Sequence, residues 1–252
     1  MKLTGKVAVI TGGNSGIGFG IARKFAAEGA TGVIIGRNEA TLEQASRDLG
    51  GAFLPSRCDV TQLESLTSVF RKANDTFGPI EVLVVAAGGA VGPGTVQPFA
   101  EVDEKSFDAM TELNLKSTFF TVQKALPYLA DGASVILVSS IAAHKAFPGM
   151  SVYSAAKAGV RTLARTLSAE LMERGIRVNV LSPGTVDTPV FDKMGFTDTE
   201  VSNMKSGFKD IIPLGRAGTA DEMGGVAVFL ASSDSSFIVG EEIVVDGGVV
   251  NL

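Results

Sequence analysis

A glycine-rich turn near the N-terminus most limits what this chain can fold into. Residues 7–10 form a short β-branched run typical of a buried strand, and residues 11–18 follow it as T-G-G-N-S-G-I-G. Apolar side chains then recur at helical spacing to about residue 28. Glycines between a strand and a helix allow a tight turn and a close approach to its backbone. The stretch therefore predicts a strand–turn–helix unit of an α/β fold.

The rest of the chain repeats the order of strand and then helix. Further strands are predicted at residues 31–36, 52–55, 82–86, 133–140, 176–181 and 242–245. Helical patterns fall at residues 39–49, 61–77, 107–129, 151–174 and 219–231. This alternation predicts a Rossmann-type, doubly wound parallel sheet of about seven strands with helices on both faces. No linker or repeat interrupts the pattern, so residues 1–252 are expected to form one domain.

Composition excludes several classes of function. The net charge of the 252 residues is −5, which does not favour nucleic-acid binding. A single cysteine, Cys58, excludes an internal disulfide and suits a reducing compartment. The longest apolar run is broken by Gly88 and Gly89, so no membrane span is expected. Together with the lack of a signal-peptide pattern, these features predict a cytoplasmic protein.

A phenol and an amine stand one helical turn apart in the second half of the chain. Tyr153 and Lys157 are four residues apart in a predicted helix and therefore share a face. A nearby ammonium favours the phenolate and lowers the tyrosine pKa, which suits general acid–base catalysis. Ser140 ends the strand before this helix, where it could bond a substrate oxygen that Tyr153 also approaches. Without a cofactor site nearby, an ordinary surface pair is the simpler interpretation.

The glycine turn and the end of the second strand predict that cofactor. A helix N-terminus behind a glycine turn attracts a pyrophosphate. The second strand ends in Gly36-Arg37-Asn38, which has no acidic residue to bind the ribose 2′-hydroxyl of NAD. Arg37 can instead pair with a 2′-phosphate, so the expected cofactor is NADP(H). The alternative is that Arg37 is a solvated residue without a ligand.

Three other polar residues have two interpretations each. Asp59 could meet an adenine amino group or cap the helix at residues 61–77. Asn114, among apolar neighbours, is either satisfied by backbone groups in the core or holds a water that serves Lys157. His144, the only histidine, is interpreted as a solvated loop residue rather than a substrate contact.

Taken together, the motifs resemble the short-chain dehydrogenase/reductase family in its compact single-domain branch, over essentially the whole chain. Besides Asn114, Ser140, Tyr153 and Lys157, the resemblance rests on the motifs at residues 11–18, 58–60, 86–88, 183–184, 213–218 and 245–248. The resemblance implies that Tyr153 gives a proton to a substrate carbonyl as hydride leaves NADPH. It implies that Ser140 orients that carbonyl, that Lys157 lowers the tyrosine pKa and binds the nicotinamide ribose, and that Asn114 holds a water.

The resemblance also implies a cofactor surface and an assembly. A homotetramer is expected, with a small carbonyl or alcohol as substrate and no metal. The expected cofactor-binding residues, including those predicted above, are Gly12, Asn14, Ser15, Gly16, Ile17, Gly18, Arg37, Asn38, Asp59, Val60, Ala86, Ala87, Gly88, Tyr153, Lys157, Pro183, Gly184, Val186 and Thr188.

The substrate stays open between two classes. Residues 188–212 carry Phe191, Met194 and Phe196 without clear periodicity, which predicts a lid over an apolar ligand; an ordinary packed helix pair is the alternative. Apolar ketones or keto esters fit such a lid. A 3-oxoacyl-[acyl-carrier-protein] reductase would need a basic docking patch, and only scattered arginines are present, at residues 161, 165 and 174. A non-enzymatic NADP(H)-binding regulator is disfavoured, because the chain keeps all four catalytic candidates.

Overall fold

A seven-stranded parallel sheet forms the centre of the molecule. The computed structural model describes residues 1–90, 95–188, 199, 207–208 and 210–252. Its strands are β1 (Val7–Thr11), β2 (Thr31–Gly36), β3 (Phe53–Arg57), β4 (Ile80–Val85), β5 (Leu129–Val138), β6 (Arg177–Pro183) and β7 (Glu242–Val245). They lie in the order β3-β2-β1-β4-β5-β6-β7, and every neighbouring pair is parallel. The predicted sheet is therefore confirmed.

Helices cover both faces of this sheet. They are α1 (Gly16–Ala27), α2 (Glu39–Asp48), α3 (Leu63–Phe77), α4 (Glu104–Thr111), α5 (Ser117–Ala125), α6 (Ser151–Glu170) and α7 (Ala220–Ala231). One apolar cluster joins the sheet to α3, α5 and α6, and a second joins its other face to α1, α2 and α7. Because both faces are covered, the central strands are apolar on both sides. No described helix is long and apolar enough to cross a membrane.

Helices α1 and α7 meet backbone against backbone. A Cβ atom on Gly20 would lie 2.5 Å from the Ala220 carbonyl oxygen, and one on Gly224 would lie 2.7 Å from the Gly20 carbonyl oxygen. Only glycine permits so close an approach. The contact places the beginning of α7 beside the helix that follows the glycine turn.

The predicted helix at residues 107–129 differs most from the structure. It begins earlier, with α4, and passes through a π-helical segment, Glu112–Lys116, before continuing as α5. Leu129 already belongs to β5. A π-helical turn inserts one extra residue into a helix, and the apolar pattern over five residues is too short to reveal it.

Most of the predicted lid, including Phe191, Met194 and Phe196, lies outside the described residues. Its described end contributes to a third apolar cluster, in which Ile212 joins Ile141, Val249 and the partly buried Phe208. The end of this segment therefore packs against the loop after β5 and against the C-terminal turn. The prediction of a lid stays a prediction.

Candidate active site

Two hydrogen bonds fix helix α6 against the end of β5. The buried Lys157 ammonium donates from Nζ to the Val138 carbonyl oxygen at 3.0 Å. In the opposite direction, Ser139 Oγ donates to the Lys157 carbonyl oxygen at 2.9 Å. Tyr153 lies one turn earlier on α6 and is thereby held beside Ser140, which follows the same strand. The structure therefore brings three of the four predicted catalytic side chains together.

The electrostatics of this group differ from the sequence-based expectation. Burial raises the pKa of Tyr153, and a hydrogen bond with the Ser140 hydroxyl opposes part of that rise. Burial lowers the pKa of Lys157 to about 8. The Lys157 ammonium lies 5.7 Å from the centre of the Tyr153 ring and bonds a backbone carbonyl. Desolvation therefore outweighs the Ser140 hydrogen bond, and the net direction of the Tyr153 pKa is opposite to the expected one. That Lys157 lowers this pKa stays a prediction.

Asn114 lies in the π-helical segment and is fully buried. Its Nδ2 donates to the carbonyl oxygens of Gly89 at 3.2 Å and Met110 at 3.1 Å, while its Oδ1 accepts from the Gly89 N–H at 2.8 Å. The expectation of a core residue satisfied by backbone groups is confirmed. Its water-holding role stays a prediction.

Gly88 brings the segment after β4 against this group. A Cβ atom there would lie 2.9 Å from Asn114 Oδ1 and 3.3 Å from Lys157 Nζ. The φ angle of Gly88 is +152°, which L-residues rarely adopt. Bare backbone therefore lies directly beside the lysine and the asparagine.

The glycine turn forms a bare cradle at the carboxyl ends of β1 and β4. A Cβ atom on Gly18 would lie 2.3 Å from the Gly12 carbonyl oxygen, so the turn closes only without a side chain at position 18. Across the cradle, the N–H groups of Ala86 and Ala87 both donate to Thr11 Oγ1 at 3.1 Å. Thr11 had not been singled out from the sequence. Its position at the end of β1, in front of the turn, was the available signal.

The end of β2 carries an exposed arginine. Asn14 lies so close to Gly36 that a Cβ atom at position 36 would be 2.4 Å from Asn14 Oδ1. Asn38 accepts the Thr41 N–H at 3.0 Å and caps α2. Arg37 is exposed, and the structure gives its side chain no hydrogen bond or ion pair within the described ranges.

Comparisons with known proteins place the chain in a family. The family model described as enoyl-(acyl carrier protein) reductase matches residues 12–250. An oxidoreductase of Sarocladium schorii, asL5, is 39% identical over 254 residues, covering 100% of this chain and 98% of the relative. A 3-oxoacyl-[acyl-carrier-protein] reductase of Thermotoga maritima is 36% identical, covering 99% of this chain and 100% of the relative.

A solved structure gives the same result. The short-chain dehydrogenase/reductase of Serratia marcescens superposes with a TM-score of 0.90 at 27% identity, covering 99% of this chain and 100% of that one. This chain belongs to the short-chain dehydrogenase/reductase family. It is therefore an oxidoreductase of a family that uses nicotinamide cofactors.

This short-chain dehydrogenase/reductase has the features that such a cofactor needs. The glycines of the turn at residues 11–18 present bare backbone, and Gly88 places no side chain beside the Lys157 ammonium. Across the turn, Gly16 faces Thr188, since a Cβ atom on Gly16 would be 3.5 Å from Thr188 Cβ. The residues present fit a dinucleotide at the carboxyl ends of these strands.

Two predicted cofactor residues of this oxidoreductase have buried side chains. Val186 and Val60 are 5% and 6% exposed in the core, and Val186 forms a parallel bridge with Gly218. Asp59 does not cap α3 as hypothesised. Its Oδ1 accepts from the N–H and hydroxyl of Thr61 at 3.0 and 2.8 Å, and the helix begins later, at Leu63.

The remaining predicted cofactor residues lie at the same carboxyl ends of the strands. Ser15 precedes α1, and Ile17 packs partly against the apolar cluster beneath it. Pro183 ends β6, and the N–H of Gly184 donates to the Val245 carbonyl oxygen at 2.9 Å. The loop after β6 is thus fixed to the end of β7.

One polar cluster beside the site was not found from the sequence. Glu242, whose side chain is 8% exposed, accepts from Ser182 Oγ at 2.5 Å and from His144 Nε2 at 2.8 Å, and its other oxygen pairs with Arg161. His144 lies in an exposed loop as expected, but its imidazole is only 19% exposed. A sequence separation of 98 residues hid this contact.

Proposed function

We propose that this protein transfers hydride between NADP(H) and a carbonyl or secondary alcohol, with apolar ketones or keto esters as preferred substrates. The observation that carries the proposal is the Tyr153 hydroxyl bonded to Ser140, on a helix fixed by Lys157 to the end of β5. When bound, the dinucleotide supplies the hydride. The chain itself must supply the proton and stabilise the charge that develops on oxygen.

Tyr153 is the proton donor in this proposal. Its raised pKa keeps the phenol protonated at neutral pH, which is the form that a reduction needs. Ser140 orients the carbonyl oxygen through its hydroxyl, which already bonds the phenol. The Lys157 ammonium, one turn along α6, stabilises the phenolate left after proton transfer. General acid catalysis of this kind contributes roughly 10²–10⁴-fold to a rate.

The preference for NADP(H) is supported by the charges at the end of β2. Arg37 is exposed at this position, while the neighbouring Glu39 lies 4.0 Å from Arg57 in an ion pair. An acidic residue that would bind a 2′-hydroxyl and repel a 2′-phosphate is missing at Gly36 and Arg37. We expect Arg37→Ala to weaken NADPH binding about tenfold or more and to leave NADH binding nearly unchanged. Arg47→Ala, at the far end of α2, is the control; equal losses for both cofactors would contradict the preference.

The cleft beside Tyr153 has a mixed lining. Val102, Met110 and Val152 are apolar, whereas Thr95, Ser106 and Ser151 carry hydroxyls. The preference for an apolar substrate therefore rests on the apolar side chains predicted for residues 188–212 and on the surface charges. The arginines that a carrier protein would meet are partly engaged, because Arg161 pairs with Glu242 and Arg174 pairs with Asp131 at 2.8 Å. Of the three arginines at residues 161, 165 and 174, only Arg165 has no ion pair within the described part of the chain, so they offer an acidic partner little free charge.

The alternative is a 3-oxoacyl-[acyl-carrier-protein] reductase. It is favoured by the names of relatives from Thermotoga maritima and Chlamydia muridarum, which are 36% and 34% identical. The two functions share the same catalytic group and differ only in what docks beside it. The choice between them therefore rests on a substrate panel.

The decisive experiment measures NADPH oxidation against apolar ketones, keto esters and one 3-oxoacyl thioester. We expect turnover of the ketones, and we expect Tyr153→Phe to reduce it by about a hundredfold or more without loss of NADPH binding. Tyr128→Phe is the matched control, because the chain has only two tyrosines. Turnover confined to the thioester would favour the alternative. Undiminished activity of Tyr153→Phe would show that the proton donor is wrong, and NADPH binding without any turnover would favour a regulator.

We also propose that the protein assembles as a homotetramer. Large apolar side chains are exposed on α4 and α5, where Phe107 and Phe119 are 49% and 41% exposed. Phe237 and Leu252, near the open edge strand β7, are exposed as well. Two separate apolar surfaces on one chain are what a dimer of dimers requires.

A further inference from the structure

The loop that carries Ser140 is tied to the C-terminal part of the chain. His144 bonds Glu242 on β7, and Lys145 Nζ donates to the Val249 carbonyl oxygen at 3.1 Å. Earlier in the loop, Ile141 belongs to the same third apolar cluster as Val249. The local hydrogen bonds of residues 140–145 shape the turn itself, and these distant contacts fix where the turn lies against the rest of the chain.

Glu242 receives donors from three other parts of the fold. Ser182 lies on β6, Arg161 on α6 one turn beyond Lys157, and His144 on the loop after β5. An ionised carboxylate only accepts hydrogen bonds, so the imidazole donates through its Nε2–H. Charge-assisted bonds to a nearly buried carboxylate are stronger and more directional than neutral ones.

We propose that Glu242 is a positioning residue for the reaction. It holds the segment from Ser140 to Lys145 against α6 so that the Ser140 hydroxyl faces Tyr153. Glu242 does not touch the reacting atoms; it acts through the loop and through Arg161. This inference rests on the proposed function, because its kinetic consequence requires Ser140 and Tyr153 to be catalytic.

The chain already contains the features that separate positioning from general stability. Ser140 is extended and begins a short 3-10 turn at Ile141–Ala143, and its Oγ accepts the Ala142 N–H at 3.2 Å. His144 follows that turn directly. A shift at His144 therefore reaches Ser140 within one turn of backbone, whereas it does not reach the cofactor cradle at residues 11–18.

The test compares Glu242→Gln with Glu81→Gln. Glu81 is a matched control because it also links two strands. It accepts from Lys6 Nζ at 3.2 Å and from the Val7 N–H at 3.1 Å. These bonds lie at the amino ends of the strands, away from the site. We expect Glu242→Gln to lower kcat about tenfold with little change in KM or in NADPH affinity. We expect Glu81→Gln to leave kcat unchanged.

A pH profile supplies a readout that a merely structural role would not move. The Ser140 hydroxyl lowers the pKa of Tyr153, so displacing it should raise the apparent pKa seen in alcohol oxidation. Ser140→Ala and Glu242→Gln should shift the profile in the same direction. The double variant should be little worse than Ser140→Ala alone, because both changes remove one interaction.

His144→Ala and His144→Gln keep the inference testable if Glu242→Gln fails to fold. His144→Gln retains an N–H donor and should preserve kcat better than His144→Ala. Additive losses in the Ser140→Ala background, or an unchanged pH profile, would overturn the positioning role. If the wild-type protein reduced no carbonyl, the proposed function would fail separately. Amide exchange of residues 140–145 would then decide, since faster exchange in Glu242→Gln is expected and unchanged exchange would overturn the inference.

Discussion

At the scale of single residues, Lys157 shows that this site is built at a cost in stability. The side chain is 4% exposed, and burial lowers its pKa from 10.5 to about 8. One bond to the Val138 carbonyl offsets only part of the desolvation of an ammonium. Active sites commonly keep such unfavourable groups because the chemistry requires them.

The pKa of Lys157 predicts how the stability of the cofactor-free protein depends on pH. Below about pH 8 the lysine is charged in both the folded and the unfolded chain, and burial of this charge destabilises the folded chain. Between about pH 8 and 10.5 the unfolded chain binds more protons, so this destabilisation fades as the pH rises. Relative to Lys157→Met, the wild type should therefore gain stability through this window.

Chemical denaturation across that pH range measures the difference. Lys116→Met is the control, because Lys116 forms only an exposed pair with Glu112 at 3.2 Å. The Lys157→Met variant should approach or exceed wild-type stability near neutral pH while losing turnover. Parallel stability curves for wild type and Lys157→Met over the whole window would show that the ammonium is not strained by burial.

Residue spacing was enough to predict which side chains meet, but not their protonation. The four-residue separation of Tyr153 and Lys157 places them on one face of any helix, and Ser140 follows from its position after a strand. The direction of the Tyr153 pKa depends instead on desolvation, which is a property of the packed site. Contacts such as His144 with Glu242 join distant parts of the chain, and no local pattern reveals them.

At the scale of elements, the beginning of α7 combines a cap with an ion pair. Thr219 and Glu222 form the capping box expected from the sequence, and Arg216 adds bonds to the Glu222 carboxylate at 2.7 and 2.9 Å. The Arg216 hydrogen bond, followed by the backbone N–H of Thr219, lowers the pKa of Glu222 to about 2. The preceding Gly218 bonds both Thr185 and Asp187, so this cap supports the loop beside the cofactor cradle.

This cap predicts a loss of stability in acid. A carboxylate whose pKa is lowered on folding stabilises the protein above its unfolded value of 4.5, and that contribution disappears as the pH falls toward about 2. Because the side chain is 42% exposed, solvent screening limits the effect, and about 1 kcal/mol is expected for Glu222→Gln at neutral pH. Glu43→Gln on α2 is the exposed control. A difference that persisted unchanged at low pH would contradict the role of the charge.

Element boundaries were predictable where local chemistry marks them. The range Glu242–Val245 and the Thr219 cap agree with the sequence because glycines and a capping box mark those boundaries. The π-helical segment at Glu112–Lys116 was not foreseen, since a single inserted residue leaves no signal in composition. It nevertheless positions Asn114, whose amide then bonds Gly89.

At the scale of the whole molecule, the site lies at the carboxyl ends of the parallel strands. All seven strands point the same way, so the groups after β1, β2, β4, β5 and β6 lie at their shared carboxyl ends. The amino ends of the strands, at the other end of the sheet, hold structural pairs such as Lys6 with Glu81. The outer surfaces still expose apolar area. Every residue of β7 is only partly buried, and large apolar side chains face solvent on α4 and α5.

The exposed apolar surfaces predict a tetramer of 26.0 kDa chains. One charged residue placed in an interface should dissociate it. Phe119→Glu places a carboxylate on the exposed face of α5, where burial against a second chain would require its desolvation. Light scattering coupled to size exclusion should give four chains for the wild type and fewer for this variant. Leu54→Glu is the matched control, because Leu54 is equally exposed, at 41%, but lies on β3 at the other edge of the sheet. A monomeric wild type, or equal dissociation by both substitutions, would show that α4 and α5 are not an interface.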